Sequence, residues 1–563
     1  MIPDPRSTDS GEPIRVGVII SAQRCAAHEA ETLSQLARVP GCELSTFVLR
    51  PGTRRTVGSV LTRLRRHGLH EAYRAVDRRI FRADDDASAR VPAGVPRVRR
   101  LRSTEGPEGP PALDEQALST LRADALDVLL TLVPLGEREQ AAALARYGLW
   151  FYDHLTDPGT FFWPVHNGSP IVATTLRTAT TGDGRPMPLF RSIAPTNRFS
   201  VNLTEDPCLW KSAQFAARCV AVLAAGGPDS LTSYATQSGG QRGLPDPAAA
   251  ADQPRGPTNS QTAKLIARIL RRGVQRGMQR VFFENHWFVA YRRRSPTDGP
   301  PKDLRTFVPI EAPAGRYFAD PFIWELDGAH HIFVEDYSSR TRRGVISVIT
   351  LDAASRLGGA RPVLERPYHL SYPFLFRDDD GSVLLIPESG DHGTVEAHRA
   401  TSFPDRWEPD FMVMDGVRAY DSTLLRYRGR TWLFASVAVR GANPWDELFL
   451  FSANSIRGPW TAHPMNPIVS DVRHARPAGQ VFEVAGRLVR PAQDCSGAYG
   501  RRVVLQKIVE LSERDYREEP WSSIEPRGLP GVLRTHSYNV AGDYEVVDGF
   551  RHRPRQGLRW LRR

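Results

Sequence analysis

"GRYFADPFIWELDGAHHIFVEDYS", residues 315–338, sets an acid before a proline, then an apolar strand, a turn, a second apolar strand and two more acids. Asp320, Glu335 and Asp336 thus stand at the ends of strands with apolar middles, and the unit recurs. "SYPFLFRDDDG" with "VLLIPES" and "TVEAHRA" repeats it, as do "YDSTLLRYRG" with "TWLFASV" and "ELFLFSA", and "RPAGQVFEVAG" with "RLVRPAQD" and "RVVLQKIVEL". A fifth, shortened copy is "HSYNVAGD" with "YEVVDG". The period is about 50–60 residues, and radial repetition of such short sheets protects strand edges, which predicts a five-bladed β-propeller over 281–550. The last copy stops before its outer strands, while "HWFVAYRRR" (286–294) precedes the first copy without a partner of its own. That strand is expected to close the ring by completing the fifth blade.

In a propeller the first strand of each blade lines the central channel. The repeat therefore brings Asp320, Tyr372, Asp421, Arg476 and His536 toward one mouth, with Glu335, Glu388, Asp494 and Asp548 following second strands. The apolar middles build blades and the strand-end acids face a funnel. Asp before Pro or Ser also caps turns, so a purely structural part for these acids is the alternative.

Upstream, "IRVGVIISA" (14–22), a helical pattern around "HEAETLSQLARV" and "CELSTFVLR" read as a βαβ opening, and "ADALDVLLTLVPL" (123–135) adds another buried strand. This predicts a Rossmann-like α/β domain over 13–228, after a disordered 1–12. Residues 229–262, rich in Gly, Pro, Ser and Ala, read as a linker. Residues 263–280 read as a basic amphipathic helix, whose apolar stripe is expected to dock on the propeller's rim or to lie on an anionic membrane. Residues 551–563 read as a basic tail.

The chain has 563 residues, a net charge of +11 and 41 % hydrophobic residues, the profile of an ordinary globular protein with more than one domain. Only four of the 74 basic residues are lysine, so arginine usage explains much of the charge and no specific nucleic-acid partner is expected. No apolar run is long enough to span a bilayer and the N-terminus has no apolar signal core, so a cytoplasmic location, peripheral to the membrane if the basic helix binds lipid, is expected. Five cysteines without a C-x-x-C pair predict neither a disulfide framework nor a zinc knuckle. No metal-ligand spacing, P-loop, G-x-S-x-G or G-x-G-x-x-G motif appears.

"GRYFADPFIW" resembles the first-blade motif of five-bladed arabinanases and β-xylosidases, in which the Asp of the A-D-P triplet is the general base. The stretch from about 281 to 550, with "LSYPF", "AYDSTL", "DVRHARPAG", "RPAQDCS" and "THSYN", resembles the N-terminal domain of glucosamine inositolphosphorylceramide transferases. Where the hydrolases carry a second-blade Asp this chain has Tyr372, and no third-blade Glu-Gly-Pro segment supplies their acid. Hydrolysis is therefore disfavoured relative to transfer. "GLWFYDHLTDPGTFFWPVHNGSPIVATTLRTATTGDGRPM" is similar to formyltransferases of the methionyl-tRNA and glycinamide ribonucleotide type. The resemblance places His154 at their catalytic His and Asp183 at their Asp, but Tyr152 stands where they have Asn.

The expected function is transfer of a glycosyl- or acyl-type group on a carbohydrate, with a sugar nucleotide or glycoconjugate as substrate. Catalytic candidates are Asp320, Asp421 and Glu388, and substrate-binding candidates are Glu335, Tyr372, Arg476, Asp494 and His536, with Arg476 pairing a phosphate or carboxylate. The alternative is an amino-sugar N-formyltransferase using His154 and Asp183, and only that reading brings in a cofactor-like donor, formyl-tetrahydrofolate. A third reading is a non-catalytic glycan-binding scaffold.

Overall fold

Strand Ile14–Ile20 is buried on both sides, and its neighbours in sequence divide between two cores. Val16, Val18 and Ile20 join Leu33, Leu36, Leu130, Trp150 and Phe215 on one face, while Ile19 joins Phe47, Leu118, Leu129 and Phe151 on the other. Such two-sided burial is what a parallel sheet covered by helices demands. In the computed structural model, which describes residues 13–21, 24–50, 57–81, 89–90, 98–104, 110–180, 186–239, 256–295, 298–390 and 392–555, the sheet has eight strands. Their order is Met187–Pro195, Ile171–Ala179, Leu149–Tyr152, Val128–Thr131, Ile14–Ile20, Cys42–Arg50, Val98–Thr104 and Ala112–Leu113. The five from Leu149–Tyr152 to Val98–Thr104 run parallel, and the outer ones are antiparallel. This is the α/β unit, Pro5–Gly273 together with Val439–Asn443.

The second unit, Val274–Ala438 with Pro444–Arg563, is a five-bladed propeller. Four blades are four-stranded antiparallel sheets in sequence order, beginning at Arg316, Ser371, Ala419 and Phe482. The fifth combines the two ends of the unit. Strand Phe283–Arg293 pairs antiparallel with Tyr544–Pro554 along its whole length, from Phe283 opposite Pro554 to Arg293 opposite Tyr544. Val308–Ile310 then forms the outer edge, and Tyr538–Ala541 the inner. Phe288 and Gly549 meet at the centre of this closure, where a Cβ on Gly549 would lie 2.5 Å from the Phe288 ring.

Several boundaries differ from those read in the sequence. Residues 229–239 are helical, a second helix after a break at Gly227 (φ 70°), because Leu231 and Tyr234 are buried in the α/β core despite the Gly- and Ser-rich composition. The basic helix spans Asn259–Phe282. It starts early because Thr258 and Gln261 form a reciprocal cap, Thr258 N donating to Gln261 Oε1 at 2.8 Å. Its docked residue is Leu265, packed on Phe161, Phe162 and Val165 of the α/β unit with Ile269 beside it, so the expectation of docking on the propeller's rim is corrected. Residues 551–554, read as tail, belong to the closing strand, with Arg551 and Arg553 both paired to Glu311. The segments 1–12, 240–255 and 556–563, and Asp183, lie outside the described residues.

Candidate active site

The first strands of blades one to three break register at the same place. The breaks fall between Ala319 and Phe322, Ser371 and Phe374, and Tyr420 and Thr423. Asp320, Tyr372 and Asp421 occupy these bulges with φ of 49°, 44° and 53°. A non-glycine residue in the left-handed region is strained, and a bulge re-aims the side chain it carries. Here the re-aimed side chains converge: Tyr372 N–H donates to Asp320 Oδ2 at 3.3 Å, and the Tyr372 hydroxyl lies 2.8 Å from Thr423 Oγ1.

Blade five answers Asp320. Ser537 Oγ donates to Asp320 Oδ1 at 2.8 Å, and His536 Nε2 lies 3.4 Å from the same oxygen. His536 Nδ1 pairs with Asp548, whose Oδ1 also accepts from the His536 and Ser537 backbone N–H groups at 2.7 and 3.1 Å. Burial disfavours the imidazolium, but the carboxylates of Asp548 and Asp320 overcome it and lift His536 to about 9. Burial in turn raises Asp320 to about 6, with His536 opposing and Asp421 and Asp548 adding to the rise. Asp320, His536 and Asp548 offer ligand atoms within 4.8 Å of one another and are the group among the described residues that could hold a metal ion. Without an ion, the His536 imidazolium supplies the positive charge between the two carboxylates.

Blade four answers Asp421. Arg476 Nε donates to Asp421 Oδ2 at 2.5 Å and its Nη2 to Asp421 Oδ1 and Glu388 Oε2, both at 3.2 Å. Gln493 Nε2 adds a bond to Asp421 Oδ2 at 2.9 Å. Burial and the Asp421 charge hold the Glu388 carboxyl well above the usual carboxylate range against the pull of Arg476. Burial and the Asp320 charge do the same for Glu335, which sits opposite Ala319 and has His369 Nε2 3.5 Å from its Oε1.

Two sequence candidates have other parts. Tyr372 is wholly buried, and its hydroxyl also accepts from Gly479 N–H at 2.8 Å, so it is a strut across the channel rather than a surface for ligand. Asp494 accepts from Ser496 N–H at 3.0 Å and pairs with Arg502 at 2.9 Å, which fixes the turn after its strand. Arg476 is paired with Asp421 and Glu388. The sequence reading missed the aromatic groups at this mouth. Trp287 stacks on His536 at 4.3 Å, and Tyr499 meets His536 edge-on at 5.3 Å, packs on Trp445 at 5.2 Å and has the Arg476 guanidinium 5.2 Å from its ring. Trp287 lies in the strand expected to close the ring, and that placement was its one signal. Tyr499 and Trp445 come from loops.

In the α/β unit His154 lies in a single turn after strand Leu149–Tyr152, stacked on Tyr152 at 5.4 Å and near Phe161 at 5.8 Å. Burial, with His28 nearby, pushes its pKa down to about 3, so the imidazole is neutral. Its Nδ1 is buried and finds no hydrogen-bond partner among the described residues. The adjoining Asp153 pairs with buried Arg177 at 2.5 Å, and Tyr152 donates its hydroxyl to Ser212 O at 2.8 Å.

Residues 308–525 match the family described as glucosamine inositolphosphorylceramide transferase 1, N-terminal. A protein of that name from Oryza sativa subsp. japonica is 36 % identical over 209 residues, 36 % of this chain and 28 % of its own. One from Arabidopsis thaliana is 31 % identical over 250 residues, 42 % of this chain and 32 % of its own. The chain therefore spans under a third of the length of these curated relatives. Among solved structures, a family 117 glycoside hydrolase from the marine bacterium Zobellia galactanivorans is similar at 15 % identity and a TM-score of 0.32, covering 47 % of this chain and 90 % of its own. A β-xylosidase/α-arabinofuranosidase from a compost microbial metagenome is similar at 13 % identity and a TM-score of 0.32, covering 42 % and 91 %. At those scores the likeness says nothing about chemistry. The family match ends at residue 525, leaving His536 and Asp548 outside it.

Proposed function

We propose that the propeller mouth is the catalytic site of an enzyme that transfers a glycosyl- or acyl-type group on a carbohydrate. The observation that carries this reading is the convergence of Asp320 with His536 and Ser537, and of Glu388 with Arg476 and Asp421, around the channel. Burial and neighbouring carboxylates raise Asp320 to about 6 and lift Glu388 and Glu335 well above the usual carboxylate range. Group transfer needs a base to take the acceptor's proton and an acid to give one to the leaving oxygen. Asp320 serves as the base. Glu388, clamped by Arg476 beside Asp421, serves as the acid, and Glu335 binds a sugar hydroxyl. Trp287 and Tyr499 offer ring faces to the apolar side of a sugar. Both buried cations at this site are already paired, which favours a neutral or ammonium-bearing sugar of a glycoconjugate over the phosphates of a sugar nucleotide.

The test is incubation of the full chain with a panel of glycosides and glycoconjugates, with and without an acceptor alcohol, read by mass spectrometry. Transfer products that vanish in Asp320→Asn and Glu388→Gln support the reading. Release of free sugar alone would make it a hydrolase, and saturable binding without turnover a glycan-binding scaffold.

The orphaned Nδ1 of His154 favours a second reading, an amino-sugar N-formyltransferase in a formyltransferase-type α/β unit. There the neutral imidazole would hydrogen-bond the formyl oxygen of a formyl-tetrahydrofolate donor. Folate-dependent formylation of an amino sugar, lost in His154→Ala, would put this reading first.

A further inference from the structure

Four side chains of blade five touch one another in series at the propeller mouth. Arg534, which pairs with Phe550 where strand Val532–Arg534 meets Tyr544–Pro554, holds its guanidinium carbon 4.4 Å from the centre of the Phe550 ring. Phe550 lies 5.1 Å from Trp287, and Trp287 stacks on His536, which faces Asp320. Arg551 and Arg553 on the neighbouring strand share Glu311. Arg534 is half-buried, yet among the described residues it meets no acid and donates no side-chain hydrogen bond, and the Phe550 ring is its contact. Burial alone lowers its pKa, with no carboxylate pulling the other way. His552, beside Phe550, is lowered by burial and by the Arg534 charge, which leaves the guanidinium as the cation of this group.

We infer, on the reading that the mouth is a sugar site, that Arg534 binds a carboxylate or phosphate group of the glycoconjugate, outward of the sugar held at Asp320. A guanidinium partly stripped of water and facing only a ring gains most from an oxyanion that it can grip with two N–H groups at once. The contact with Phe550 holds the guanidinium plane and leaves those N–H groups for a ligand. Position decides where the charge sits on the substrate. Beside Asp320 the buried cations Arg476 and His536 are paired with carboxylates, so an anion there would meet no free counter-charge. Past Trp287 it meets Arg534. Trp287 stands between the two and offers its ring to the apolar face of the intervening sugar.

The test is titration calorimetry of the full chain with methyl β-glucoside, methyl β-glucuronide and methyl β-glucoside 6-phosphate, which share one ring and differ in its charge. The two anionic glycosides separate a carboxylate from a phosphate as the group bound. At least one of them should bind on the order of 10-fold more tightly than the neutral glucoside, and the ratio should shrink as salt is added. Arg534→Gln should bring the ratio near one. Arg534→Lys should keep part of it, because lysine carries the charge without the two-pronged grip. If Arg534→Gln fails to fold, the partial ratio of Arg534→Lys decides. Equal binding of the three glycosides, binding of none, or an anion preference that survives Arg534→Gln would overturn the inference. An anion preference in a parent chain that transfers no sugar would sink the transfer reading alone, and transfer without such a preference would sink the part given to Arg534 alone.

Discussion

His536 Nε2 lies 3.4 Å from Asp320 Oδ1, so the blade that closes the ring supplies the counter-charge for the acid of the blade that opens it. Burial sets Asp320 at about 6 and the neighbouring carboxylates lift His536 to about 9, so the two charged forms coexist between these values.

Turnover at the propeller mouth should therefore rise as Asp320 ionises near 6 and fall near 9, where the His536 counter-charge that holds Asp320 in place is lost. Stability should carry the His536 term as well. Its folded value lies above the ordinary 6.5, so its contribution is complete below that pH and is lost as pH rises through about 9. Denaturant titrations of His536→Gln at pH 6 and pH 10 check this: the variant should be less stable than the parent by on the order of 3 kcal/mol at the lower pH and nearly level with it at the higher.

Replacing Tyr372 by Phe removes the hydroxyl that meets Thr423 and leaves the buried Gly479 N–H without an acceptor. Gly479 cannot shift to compensate, because its φ of 138° holds it so close to Tyr538 that a Cβ would lie 2.1 Å from that carbonyl oxygen. The expected loss is about 1–3 kcal/mol in chemical denaturation, with sugar binding retained. A large loss of binding at unchanged stability would return Tyr372 to the ligand surface.

Arg476→Met should be costly, about 3–5 kcal/mol, because it leaves Asp421 in the interior without its partner. Adding Asp421→Leu should recover part of that stability while activity stays absent. Melting curves of the two variants separate a broken ion pair from a general packing defect.

Deleting residues 281–294 should abolish cooperative unfolding of the propeller, since Tyr544–Pro554 would lose its partner along its whole length. A truncated chain that keeps a sharp melt and a native β spectrum would refute the closure.

The repeat made the blades legible because each copy carries its own apolar strands, and the equivalence of Asp320, Tyr372 and Asp421 followed from their place in it. The left-handed bulges were not legible: nothing in A-D-P, S-Y-P or Y-D-S demands a positive φ. Nor was the commitment of Arg476 to Asp421, which depends on how blade four faces blade three across the channel. Loop residues such as Tyr499 carry no periodicity at all, so their arrival beside His536 depends on the whole ring. Composition misled at 229–239, where burial of Leu231 and Tyr234 outweighs glycine and serine.

The pairing of Phe283–Arg293 with Tyr544–Pro554 also sets a timetable for synthesis. The first of these strands leaves the ribosome about 250 residues before the second exists. At about 5–20 residues per second that is a wait of roughly 10–50 s with the edge that meets Tyr544–Pro554 unpaired. Phe288 and Ala290 of this strand pack with Ala478, Val489, Tyr538 and Val547, all made late in the chain. The nascent chain thus offers a chaperone one defined apolar segment for that interval, and release of the segment coincides with completion of the last blade.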